Sequence, residues 1–175
     1  SNAIGREGIS YIDDFEGTAT PMYLDTENEW VLASTPTEGI YFPEGDETNS
    51  LVYGANRALL NWYILERTSR SQQDICDPYT RLVLQQELFE REIPQGNLPD
   101  LRTFDFSFYP EERGPYNFDI KDGLNGMTAG IRYDQEKEKL LLNDPKSRWG
   151  GAMRYIDNND FEALNVEYIE FWMLN

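Results

Sequence analysis

A chain of 175 residues with 39% hydrophobic and 14% aromatic side chains is long enough to bury a core of its own, despite a mean hydropathy of -0.65. Its 32 acidic residues against 15 basic ones give a net charge of -17, which argues against nucleic acid or an anionic lipid surface as a partner, since both are polyanions. The absence of histidine removes Ser-His-Asp and Cys-His catalysis and the commonest transition-metal ligand.

Ser1-Asn2-Ala3 reads as a remnant of tag removal, and residues 4-175 as a single domain that is a fragment of a much larger protein. Tyr11 to Glu16 is a short expected strand closing at Gly17, and Trp30 to Ala33 a second, ended by Ser34-Thr35-Pro36. Residues 37 to 50, rich in Gly, Pro, Glu and Asn, are a surface loop. Ala58 to Leu65 is almost continuously apolar, and Trp62, Tyr63 and Ile64 favour a buried strand there. A helix is expected around residues 78-90, with Asp77 as N-cap, Pro78 in the first helical position, Leu84 and Leu88 on one stripe, and Pro94 and Gly96 beyond its end. Phe104, Phe106 and Phe108 alternate with Asp105 and Ser107, the pattern of a half-buried strand, and Pro110 is expected to stop it. Leu140-Leu142 and Trp149-Arg154 are shorter strand candidates, Asp157 to Ala163 is a turn or short helical link, and Tyr168 to Leu174 is a final strand in which the chain stops. Short strands, long loops and no βαβ alternation point to a mainly β chain, a β-sandwich with one inserted helix.

Candidate chemistry is sparse. Asp13, Asp14 and Glu16 cluster at a strand end, where carboxylates and carbonyls can hold a hard cation, so Asp14 and Glu16 are candidate ligands of a structural Ca²⁺. A solvated strand end, or an acid paired with arginine, is the competing reading. Asp157-Asn158-Asn159-Asp160 lacks the glycine and glutamate that an EF-hand loop requires. Arg113-Gly114-Pro115-Tyr116-Asn117 and Trp149-Gly150-Gly151 combine guanidinium, turn and aromatic rings, which makes Arg113, Tyr116 and Trp149 candidate partner- or ligand-binding residues. The competing reading is that Trp30, Trp62, Trp149 and Trp172 fill the sandwich core, and for most of the four it is the preferred one. Cys76 lies in a polar stretch and reads as an incidental thiol. Carboxylate pairs are expected by chance in so acidic a chain, so a glycosidase has no specific support.

Several strings in order, Tyr11-Ile12-Asp13-Asp14-Phe15-Glu16-Gly17, Trp30 to Pro36, Asn56 to Tyr63, Tyr109 to Asn117, Arg148 to Arg154 and Asn165 to Trp172, resemble the SprA/Sov family of giant outer-membrane proteins of type IX secretion and gliding motility. The resemblance implies a cell-envelope, outer-membrane-associated setting. It implies a soluble, non-catalytic scaffold or docking domain carried between barrel strands, with other domains of the parent barrel, secretion-system proteins or cargo as partners. Asp13-Asp14-Phe15-Glu16-Gly17 and Glu167 to Trp172 also resemble the ends of galactose-binding-like jelly rolls, which pair first and last strands and often hold a structural Ca²⁺ near that seam. With the aromatic residues, this makes a carbohydrate-binding module of a cell-surface protein the alternative.

Overall fold

The structure, a computed structural model, describes residues 2–3, 10–11, 26–37, 40–47, 49–70, 79–90, 92–156, 160–162 and 172–174. The chain divides into two compact units: residues Ser1–Leu24 together with Tyr155–Asn175, and residues Asp25–Arg154. In the first, β1 (Asn2–Ala3) pairs antiparallel with β2 (Ser10–Tyr11). The remainder of the first expected strand lies outside the described residues. So does most of the last one, of which Trp172–Leu174 are irregular and exposed.

The second unit is built of antiparallel sheet. β3 (Trp30–Leu32) pairs with β8 (Ala152–Arg154). A four-stranded sheet has the order β4-β5-β7-β6, from β4 (Ala58–Tyr63), β5 (Asp105–Arg113), β6 (Ile131–Asp134) and β7 (Lys139–Leu142). The chain is therefore mainly β, with sheets of two and four strands, as a sandwich requires. The jelly-roll seam expected from the chain ends falls on residues outside the described set.

Strand alternation decides which side chains meet. Leu60 faces Phe108 and Trp62 faces Phe106 across β4 and β5, so these residues share one face of the sheet. The β3–β8 ribbon lies on that face: Trp30 stacks on Phe104 with ring centroids 5.4 Å apart, and the Trp62 indole N–H donates to the Glu27 carbonyl at 3.2 Å. Gly150 makes the approach possible, because a Cβ there would sit 2.9 Å from the Leu60 Cβ and 3.1 Å from the Phe108 ring. The apolar core is small-residued, with Val52, Ala55, Ala58, Leu60, Val83, Leu141 and Leu142 buried. Each of the two buried β7 leucines contributes roughly 1.5–3 kcal/mol by leaving water.

Two expectations are corrected. The helix around residues 78-90 is a single turn, α2 (Gln85–Leu88), following the equally short α1 (Arg67–Arg70). Extended pairing displaces the rest: Leu84 bridges Asp100, Gln85 N–H donates to the Pro99 carbonyl at 2.7 Å, and Leu101 N–H donates to the Val83 carbonyl at 2.8 Å. Glu87 instead accepts from the Leu84 N–H and from Arg81, so the turn starts at Leu84; the expected cap, Asp77, lies outside the described residues. The second correction concerns Pro110, which lies inside β5 rather than stopping it. It falls where the β4 register slips between Ala58 and Leu59, so no ladder bond is asked of its missing N–H. Among the described residues no helix is long and apolar enough to cross a membrane.

Candidate functional site

The loops around the β4–β5 corner are held by buried polar groups rather than by apolar bulk. Asn117 donates from Nδ2 to the carbonyls of Ala55 (2.7 Å) and Arg57 (2.6 Å), and its Oδ1 accepts from the Asp119 N–H at 3.1 Å. Asp119 and Arg148 are fully buried with Nη1 and Oδ2 2.8 Å apart. Arg148 Nη1 aims its N–H groups at Ala55 O (3.0 Å) and Asn56 Oδ1 (3.4 Å), so charge rather than an aligned hydrogen bond joins it to Asp119 Oδ2. The remaining Arg148 donors reach Asn143 O and Gly130 O, both at 2.9 Å. The other Asp119 oxygen accepts from Thr128 (2.6 Å) and the Ile120 N–H (2.9 Å). A buried ion pair with this many further hydrogen bonds fixes geometry, because breaking either member strands a charge.

Beside that frame lies a half-open cavity of about 290 Å³ lined by Leu32, Ala33, Ser34, Ser50, Tyr53, Gly54, Arg57, Tyr116 and Phe118. Its base is the 3₁₀ turn Leu51–Gly54, capped by Ser50, whose hydroxyl accepts from the Val52 N–H at 3.2 Å. A reciprocal pair ties this turn to the exit of β3: Thr35 Oγ1 donates to Tyr53 O (2.7 Å) and Tyr53 OH donates to Thr35 O (3.1 Å). Gly54 meets the opposite wall, where an added Cβ would lie 2.6 Å from the Tyr116 carbonyl. Tyr116 itself holds a left-handed backbone, φ 63°, an arrangement that a bulky residue keeps only where its surroundings impose it.

Arg57 is the chemical centre of this cavity. The residue is 5% exposed, and its guanidinium lies 5.0 Å from the Trp149 ring and 5.9 Å from the Tyr116 ring. Among the described residues it has no carboxylate partner and no hydrogen-bond acceptor, and Nε is buried with none. Burial holds the guanidinium below its ordinary pKa, an effect that the phenols of Tyr53 and Tyr116 partly offset. Arg57 nonetheless stays a cation, as arginine does in proteins. Glu44 is buried on another side of Trp149, accepting from the indole N–H at 3.0 Å through Oε1 while Oε2 has no partner; it makes no ion pair with Arg57. Trp149 also meets Phe42 edge to face at 5.4 Å, so its ring is a fixed bracket between the buried Arg57 and Glu44 side chains.

The candidates from the sequence are thus distributed as follows. Tyr116 lines the cavity, 65% exposed, and Trp149 stacks behind Arg57 without lining it. Arg113 turns into its own loop, with Nη2 donating to Asn117 O (2.9 Å) and Asp119 O (3.4 Å) and Nε to Asn117 Oδ1 (3.3 Å), so it shapes the loop that carries Tyr116. Asp14, Glu16 and Cys76 lie outside the described residues. Among the described residues no cluster of acids, histidines or cysteines has the grouping of a metal site. Sequence reasoning missed Arg57, Tyr53 and Phe118. An arginine directly before the apolar run of β4 was a usable signal, since a cation at the mouth of a buried strand must find a special environment. No protein-family model matches the chain, and no curated protein matches it.

Proposed function

We propose that this chain is a non-catalytic scaffold and docking domain of an outer-membrane translocon of the type IX secretion and gliding-motility kind, acting in the cell envelope on other domains of its parent barrel, on secretion-system proteins or on cargo. The observation that carries the docking half is the half-open cavity at Arg57: a buried cation whose Nε has no acceptor among the described residues, flanked by rings and hydroxyls, is suited to receive a group. Among the described residues the cavity lining holds serine and tyrosine hydroxyls but no carboxylate, thiol or amine to activate them, and the chain has no histidine, which favours binding over turnover. The translocon half is supported by the ordered strings from Tyr11 to Trp172. The full translation product of the gene tests it. Long flanks of alternating, barrel-type strands are expected on either side; a product without such flanks contradicts the translocon setting.

The carbohydrate-binding alternative is favoured by one observation, the exposed Tyr116 ring at the cavity rim. Calorimetric titration with cell-surface oligosaccharides decides it: heat lost in Tyr116→Ala supports sugar binding, and no heat with the intact chain removes it.

A further inference from the structure

Arginine inside a protein is ordinarily matched by an anion, because its five N–H donors lose water on burial and a ring face replaces none of those bonds. Arg148 shows the usual solution in this same unit, with Asp119 and backbone carbonyls around it. Arg57 has two rings within about 6 Å of its guanidinium carbon and a buried Nε with no acceptor among the described residues. It also lines a cavity with room for a ligand of several heavy atoms.

We propose that the Arg57 cavity is a binding site for a carboxylate joined to an apolar or aromatic group, a deepening of the docking reading on which it rests. Cation–π contacts to Trp149 and Tyr116, at 5.0 and 5.9 Å, hold the guanidinium in place without using its N–H donors, which leaves its planar fork for the two oxygens of a carboxylate. A single guanidinium balances a single negative charge. A phosphate dianion would need more cations than the cavity walls carry, and the net charge of -17 repels it more strongly. Leu32, Ala33 and Phe118 supply apolar wall, and the hydroxyl of Ser34 supplies a further polar contact. The ligand carboxylate can come from a free organic acid or from the end of a peptide chain, and the two present the same group to Arg57.

The test is an NMR titration of the whole ¹⁵N-labelled chain, following the arginine Nε–Hε resonances. The probes are N-acetyl-phenylalanine, its carboxamide, inorganic phosphate, and Ala-Ala-Phe with a free or an amidated C-terminus. The free acids are expected to shift the Arg57 signal to saturation, and the amides to bind about tenfold more weakly or worse, the cost of losing a charge-assisted pair. Arg57→Gln, with an otherwise unchanged amide spectrum, is expected to abolish the difference between acid and amide. The stronger of the small acid and the tripeptide acid identifies the source of the carboxylate. Equal binding of acid and amide, tighter binding of phosphate than of either acid, or an Arg57 signal unmoved by every probe overturns the proposal. Because these readouts involve no secretion, failure here is separable from failure of the translocon reading, which rests on the flanking sequence.

Discussion

A handful of side chains carry the architecture of this molecule, and they are polar. Asp119 and Arg148 neutralise one another in full burial while their other bonds tie together the loops before β4, after β5 and before β8. Asp119→Ala leaves a buried cation without its anion and is expected to cost about 3–5 kcal/mol in urea denaturation. Gly54 is critical for a different reason. A methyl group there would have to displace the Tyr116 carbonyl 2.6 Å away, so Gly54→Ala is expected to destabilise by about 1–3 kcal/mol and to shift the Tyr116 ring resonances. A variant as stable as the parent, with unshifted Tyr116 signals, would show that the two walls of the cavity are not in contact.

The β6–β7 hairpin shows how elements here are stabilised from their turns. Asp134 Oδ1 accepts from the N–H groups of Glu136 (3.0 Å) and Lys137 (2.9 Å), while Glu138 closes the turn at φ 50°. Glu138→Gly removes left-handed strain and is expected to raise stability by about 1 kcal/mol in thermal unfolding. Backbone donation from Lys137 holds the Asp134 carboxyl below its ordinary pKa, and the hydrogen bond from Arg132 does the same for Glu111. A depressed folded-state pKa stabilises above the unfolded value and is lost as pH falls through the folded one. The hairpin should therefore weaken as pH drops below about 4, and Glu111→Gln should flatten that dependence in pH-resolved melts. Strands were the legible part of the sequence. Period-two alternation marked β5, and apolar content marked β3, β4 and β7, although Phe106, Phe108, Val31 and Leu140 stay exposed in the paired strands. The helix expected around residues 78-90 is only the single turn Gln85–Leu88 among the described residues, for a physical reason: Val83 and Leu84 gain more from pairing with Asp100 and Leu101 than a short, isolated helix returns. β6 was missed because Ile131-Arg132-Tyr133-Asp134 carries one aliphatic residue and its partner strand supplies the burial. Within the site, Tyr116 and Trp149 were visible as aromatics beside turn residues. Arg57 was not singled out, since its role depends on which rings the fold brings over it.

At the scale of the molecule, the unit Asp25–Arg154 contains the two- and four-stranded sheets, the buried ion pair and the Arg57 cavity within one stretch of chain. Produced alone, that stretch is expected to melt cooperatively and to keep its acid-selective ligand shift; a broad, non-cooperative transition would show that it needs the rest of the chain. The binding role proposed for the cavity sits within a chain whose net charge of -17 discourages indiscriminate association with anions. In the translocon reading proposed above, a docking surface on such a domain has work that no catalytic residue is needed for. The most direct measurement is export from cells that carry the full-length gene with residues 25–154 replaced by a flexible linker. The account predicts an unchanged amount of the parent in the outer membrane and a loss of secreted cargo. Cargo secreted at the wild-type level by that variant would contradict it.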